Sequence, residues 1–226
     1  MEGAGMTIIE IIERLEKKAG KELLAGAQKD KMLKQLAALK AKYGSLAVID
    51  EESPIIQGLV EKGTKLVAQP FSVDAANLFS RYAKAALYDL SGNLLPYKWY
   101  VRLFFISAIG FFLLAPQFFP VIFALIFIVP VFVGLRGLKT RTVNGFTLTA
   151  MIFPVSLLSA SMAAKAFIPA VFGNLSGYAQ TLSEQFRVSA GTASILVVVF
   201  AIVSLVTITS SIAGAVIGFL YKDMFV

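Results

Sequence analysis

The chain has 226 residues, 57% of them hydrophobic, and a formal net charge of +7, an apolar content above that of an ordinary soluble domain. It contains no cysteine and no histidine. Disulfides, thiolate chemistry, imidazole metal ligands and the usual general base are excluded, and with them histidine-dependent serine hydrolases, zinc peptidases and imidazole-ligated haem carriers.

Residues 1–95 read as an N-terminal domain of four short helices. Thr7-Ile8-Ile9-Glu10 has capping-box spacing, and Ile8, Ile11, Ile12 and Leu15 share one stripe of a helix expected to stop near Gly20. A second helix, about 28–43, gathers Met32, Leu33, Leu36 and Leu39 and stops at Gly44; a third starts at Ser53-Pro54 with Ile55, Leu59 and Leu66 as its apolar side. In the fourth, capped by Ser72, the spacing turns Val73, Ala76, Phe79, Tyr82, Ala83, Ala86 and Leu87 inward and ends at Gly92. The stripes are narrow for an independent core, so these helices are expected to pack on each other and on a neighbouring subunit. Placing the first helix in the membrane interface is the alternative, opposed by its mixed-sign polar face. Its apolar cluster is broken by Glu10 and does not read as a signal peptide, which leaves the amino terminus inside.

Fourteen basic side chains among the first hundred residues are interleaved with twelve acidic ones. No dense basic stripe is present, and nucleic acid is not an expected partner.

Residues 96–226 read as a transmembrane domain. Tyr97, Lys98, Trp99, Tyr100 and Arg102 form an aromatic and basic anchor suited to the head-group region. The run 103–135 then carries no ionisable side chain, and uncharged runs recur at 142–164 and 188–221. A hydrocarbon core about 30 Å thick takes roughly 20 apolar residues per crossing, so lipid is the environment that accommodates this pattern. The expected helices are 101–115, 119–135, 147–172 and 193–219, the first two a short hairpin broken at 115–120 that either spans twice or is re-entrant. The third is expected to bend at Pro154. Arg136, Lys139 and Arg141 assign one side to the cytoplasm, and the polar stretch 173–191, with Glu184 and Arg187 as its charges, suits the opposite face. Both termini are then cytoplasmic.

Within this part, Ser210, Gly214 and Gly218 repeat a small residue every fourth position and leave a flat groove for a partner helix, inside one subunit or between two. Ser159, Ala160, Ala163 and Ala164 make a similar surface. Thr207 and Ser211 add hydroxyls that either bond back to helix carbonyls or, with Lys165, line a polar path. Lys165 is a charge inside an apolar segment, about two-thirds of the way across, and either snorkels outward or faces a polar cavity. No phosphate loop, paired carboxylates or internal repeat is visible, and no catalytic residue, metal or cofactor is assigned.

The sequence therefore predicts an all-α, polytopic helical membrane protein with an N-terminal helical domain on the cytoplasmic side. Its expected partners are membrane lipid and either further copies of itself or the other subunits of a larger membrane complex. The preferred function is that of a non-catalytic subunit serving transport, secretion or channel formation. Membrane shaping by the hairpin wedge and amphipathic helices is the alternative, and an interfacial lipid-modifying enzyme working through Lys165 comes third.

Overall fold

The capping box closes in the computed structural model: the Thr7 hydroxyl accepts from the Glu10 N–H at 3.2 Å, and the Glu10 carboxylate accepts from the Thr7 N–H at 3.1 Å. The structure describes residues 6–23, 26–46 and 50–226, and among them every regular element is helical. Two compact units emerge. Met1–Leu94 with Asp223–Val226 forms one, and Leu95–Lys222 the other.

The first unit holds α1 (Ile8–Glu22), α2 (Ala27–Gly44), α3 (Pro54–Ala68) and α4 (Val73–Leu90). Ile11, Ile12 and Leu15 of α1 are fully enclosed with Leu36, Tyr43, Ile56, Phe79 and Ala83. That burial overturns the interfacial placement of α1, because its apolar stripe already lies in a protein core. Helix α1 also continues through Gly20 to Glu22, and Gly44 is the last residue of α2 rather than a residue beyond it. On α3, Ile56 turns inward while Ile55 stays 41% exposed. The reason is Gly63: a Cβ there would strike Ile11 and Phe79, so this glycine must face α1 and α4, and the stripe that contains it runs Ile56, Leu59, Gly63, Leu66. Ser53 makes no side-chain cap, whereas Ser72 accepts from the Ala75 N–H. Gly92 follows α4 with φ +66°, a left-handed conformation that glycine takes without strain. The C-terminal residues complete this unit, with Met224 and Phe225 buried and Asp223 at 3.5 Å from Lys84.

The second unit contains α5 (Leu95–Leu114), a 3₁₀ turn (Ala115–Gln117), α6 (Val121–Ile126), α7 (Ile128–Lys139), α8 (Val143–Ala150), α9 (Ile152–Gly173), α10 (Leu175–Phe186) and α11 (Ala190–Leu220). Leu95–Gln117, Val121–Lys139, Val143–Gly173 and Ala190–Leu220 are four segments long and apolar enough to cross a membrane. Prolines set their breaks. The third segment bends at Met151 rather than at Pro154, because a proline has no N–H to donate and is tolerated in the first turn of a helix, where Pro154 sits in α9. Pro130 likewise falls in the first turn of α7, behind the break at Phe127.

The stretch expected as a polar loop contains α10. Asn174 caps it by accepting from the Gly177 N–H at 3.0 Å, and Ala179 and Leu182 are its buried residues. The second segment takes α8 as its close neighbour, since a Cβ on either Gly137 or Gly145 would meet the backbone of the other. Toward α5 it offers rings, with Phe127 centred 5.3 Å from Phe111. Helices α5, α9 and α11 pack mutually and form the core of this unit.

Candidate functional site

From Ala201 to Gly218 the inner face of α11 is made of small and hydroxyl residues. Ala201, Ser204, Thr207, Ser210, Ser211, Gly214 and Gly218 are all buried. Each glycine admits a neighbour: a Cβ on Gly214 would meet the Phe153 ring, and one on Gly218 would approach the Tyr100 ring to 2.7 Å. Across the same contact, Gly110 of α5 leaves room for the Thr207 side chain. The small-residue groove formed by Ser210, Gly214 and Gly218 is thus filled by α5, α8 and α9 of the same chain.

Hydroxyls join the three core helices. Ser107 of α5 lies 3.0 Å from the Ser210 hydroxyl and accepts from Ser211 at 3.2 Å, while Ser156 of α9 donates to the Ser107 carbonyl at 3.0 Å. Toward the start of α5, the Tyr100 hydroxyl sits 3.0 Å from that of Thr149. In a segment surrounded by lipid an unpaired hydroxyl has no water to turn to, so pairing across helices ties them together.

Thr207 donates back to the Val203 carbonyl at 2.7 Å, and Ser211 is engaged with Ser107. Lys165 projects from the opposite side of α9, on an exposed stripe with Leu158, Met162 and Phe172. Thr207 and Ser211 thus share the buried face of α11, and exposed Lys165 is not brought to them.

The expected anchor divides as well. Tyr97 donates to the Leu138 carbonyl at 2.9 Å and has the Arg141 guanidinium over its ring at 5.4 Å; Trp99 is 45% exposed beneath Arg102. Lys98 is exposed. Tyr100 is 1% exposed and packs within the bundle, unlike the exposed Lys98 and Trp99 beside it. Its neighbours Trp99 and Lys98 share its chemistry, but a helix turns 100° per residue and Tyr100 falls on the face that meets α8 and α9.

The contacts of Tyr97 with Leu138 and of Tyr100 with Gly218 bring Lys98, Arg102, Arg136, Lys139, Arg141 and Lys222 to one end of this unit. Its one carboxylate, Glu184, lies on α10. Ser107, Gly110, Thr149 and Ser156 were not singled out from sequence, although Ser107-xx-Gly110 carries the same small-residue signal in shorter form. Comparison with protein-family models, with curated proteins and with solved structures finds no match to this chain.

Proposed function

We propose that the chain is a non-catalytic, multi-pass integral subunit of a larger membrane assembly that serves transport, secretion or channel formation. The observation that carries the membrane part of this reading is the orientation of α11. From Ala201 to Gly218 its interior residues are Ala, Ser, Thr and Gly, while Ile202, Leu205, Ile212, Val216 and Phe219 point outward and are half or more exposed. Water favours the reverse arrangement, because burying a large aliphatic side chain gains roughly 1.5–3 kcal/mol. In lipid the outward aliphatics cost nothing and the small inward residues let helices approach. The cluster of six basic residues at one end supports a cytoplasmic position for that end, and for both termini with it.

The assembly part rests on the second segment. It keeps an outward row of Val121, Ile122, Leu125, Val129 and Phe132, each more than half exposed, and we place the neighbour on this row, since the α11 groove is filled within the chain. Membrane shaping fits less well, since α1, its amphipathic helper, is enclosed in the first unit. Because the chain has no cysteine, Leu125→Cys and Val129→Cys give single reactive sites without background. Bismaleimide treatment of native membranes is expected to link these variants into species larger than one chain. Monomers alone at every position of the row would end the assembly proposal, and release of the chain by alkaline carbonate would end the membrane one.

A further inference from the structure

In the second unit, α5, its 3₁₀ turn, α9, α10 and the first half of α11 surround a half-open cavity of about 470 Å³, within the range of sites that hold small molecules. We infer that it binds an uncharged amphiphile drawn from the membrane, with a hydrocarbon body and a hydrogen-bonding but unionised head. This rests on the membrane reading above and goes beyond it.

The lining supplies both halves of the recognition. Leu113, Phe118, Phe167, Leu182 and Phe200 form the walls. Water filling such a volume would amount to about fifteen molecules against aromatic and aliphatic surface, and an empty space of that size forfeits the packing that protein interiors otherwise keep. A hydrocarbon occupant removes both penalties. Around these walls stand Gln117, Tyr178, Thr181 and Gln185, which offer amide and hydroxyl groups. The Gln117 amide N–H donates to the Leu113 carbonyl at 3.2 Å and the Thr181 hydroxyl to that of Gly177 at 3.1 Å, so both retain oxygen lone pairs for a ligand's donor. Among the described residues, no lysine, arginine, aspartate or glutamate lines the cavity. A phosphate or ammonium head would enter without a counter-charge, whereas a hydroxyl or ester finds partners.

The position also fits a lipid. The third segment runs beside α5, with Thr149 of α8 next to Tyr100 and Ser156 of α9 next to Ser107. Gln117 is then about 22 Å above Arg102 at the helical rise, toward the head-group level opposite the basic end. A membrane amphiphile seated there keeps its head at the polar boundary and its chain among the helices.

The test is photolabelling of the full chain in phosphatidylcholine vesicles with a diazirine-bearing monoacylglycerol. Labelling is expected to saturate, to fall on peptides covering 113–118 and 178–185, and to drop at least fivefold in Ala166→Trp, which fills the cavity. Val199→Trp, on the outward face of α11, should leave it unchanged. A second variant, Gln185→Leu, alters an exposed side chain and is expected to weaken competition by unlabelled monoacylglycerol severalfold even if Ala166→Trp misfolds. Labelling that rises linearly with probe, or that a phosphatidic acid competes as well as monoacylglycerol, would overturn the inference. Unsaturated labelling of a chain that resists carbonate extraction defeats the cavity proposal alone; a chain that carbonate releases defeats the membrane reading beneath it.

Discussion

The two units solve the same packing problem with opposite residue sets. In the first, thirteen basic side chains stand beside thirteen acidic ones, and large aliphatics such as Ile12, Leu15 and Leu36 fill the centre. In the second, eight basic side chains face a single acidic one, Glu184, so the whole net charge of the chain resides there, and the buried face of α11 from Ala201 to Gly218 is Ser, Thr, Gly and Ala, which admits the Phe153 and Tyr100 rings, while large aliphatics of the same helix lie outside. Hydrophobic drive toward the interior operates only against water. Where lipid is the solvent, the drive vanishes and close backbone approach with paired hydroxyls takes its place. The two units should therefore respond oppositely to changes in side-chain volume.

The largest effect is expected from Leu36→Ala in the first unit. Leu36 is fully enclosed, and removal of its outer atoms leaves a cavity whose loss amounts to about 2–5 kcal/mol. Thermal unfolding of the full chain, followed by helix content, should show it as a lowered transition. The matching truncation in the second unit, Leu205→Ala, removes a side chain that is 51% exposed on α11 and should leave the transition in place. A large loss at Leu205 would mean that the outward face of α11 packs against something other than lipid. The complementary change is Gly214→Val. Its added atoms meet the buried Phe153 ring, and overpacking of this kind typically destabilises by about 1–3 kcal/mol. Trp99 is the one tryptophan of the chain and belongs to the second unit, so its fluorescence reads that unit alone. An unchanged Trp99 transition in Gly214→Val would contradict the close approach of α11 and α9.

Much of this contrast was legible in the residues. The Thr7 and Ser72 caps, the stop at Gly92 and the four apolar runs rest on local chemistry, and local chemistry decided them. The small face of Ser210, Gly214 and Gly218 was legible as a surface but not as a contact, because a groove says how near a helix can come and not which helix comes. Phe153 and Tyr100, which fill it, lie far away in sequence. Helix α10 was hidden for a different reason. Leu175, Ala179 and Leu182 are too few, among Ser, Gln and Thr, to mark a periodic stripe, and its cap at Asn174 is an isolated signal. The cavity was not legible at all, since its lining comes from four helices and a 3₁₀ turn that are separated in sequence.

Smaller effects sharpen the comparison further. Ser107→Ala removes the hydroxyl that meets both Ser210 and Ser211. Interhelical hydrogen bonds in membranes average about 0.6 kcal/mol and reach about 1.7, so the Trp99 transition should move by less than in Gly214→Val. A loss as large as that from the glycine would make hydroxyl pairing, rather than close approach, the main tie of the core helices.

The smallest effect concerns charge. Lys40 lies 2.8 Å from Glu13 and links α2 to α1. Its hydrogen bond holds the Glu13 carboxyl below the ordinary value of 4.5, and the carboxylate in turn raises Lys40 above 10.5. A lowered acid stabilises above its unfolded value and loses that contribution as pH falls through the folded one. A raised base stabilises below its unfolded value and loses that contribution as pH rises through the folded one. The pair therefore helps across the neutral range, weakly, because both side chains are exposed and screened. In Glu13→Gln the transition of the first unit should sit slightly below that of the parent at pH 7, with the gap closing toward pH 3. Trp99 fluorescence should show no such gap at either pH, because the second unit holds one carboxylate and its stability has almost no acid to lose. An acid-dependent gap in the Trp99 transition would mean that the stability of the second unit depends on the charge network of the first, and the independent treatment of their two solvents would fail.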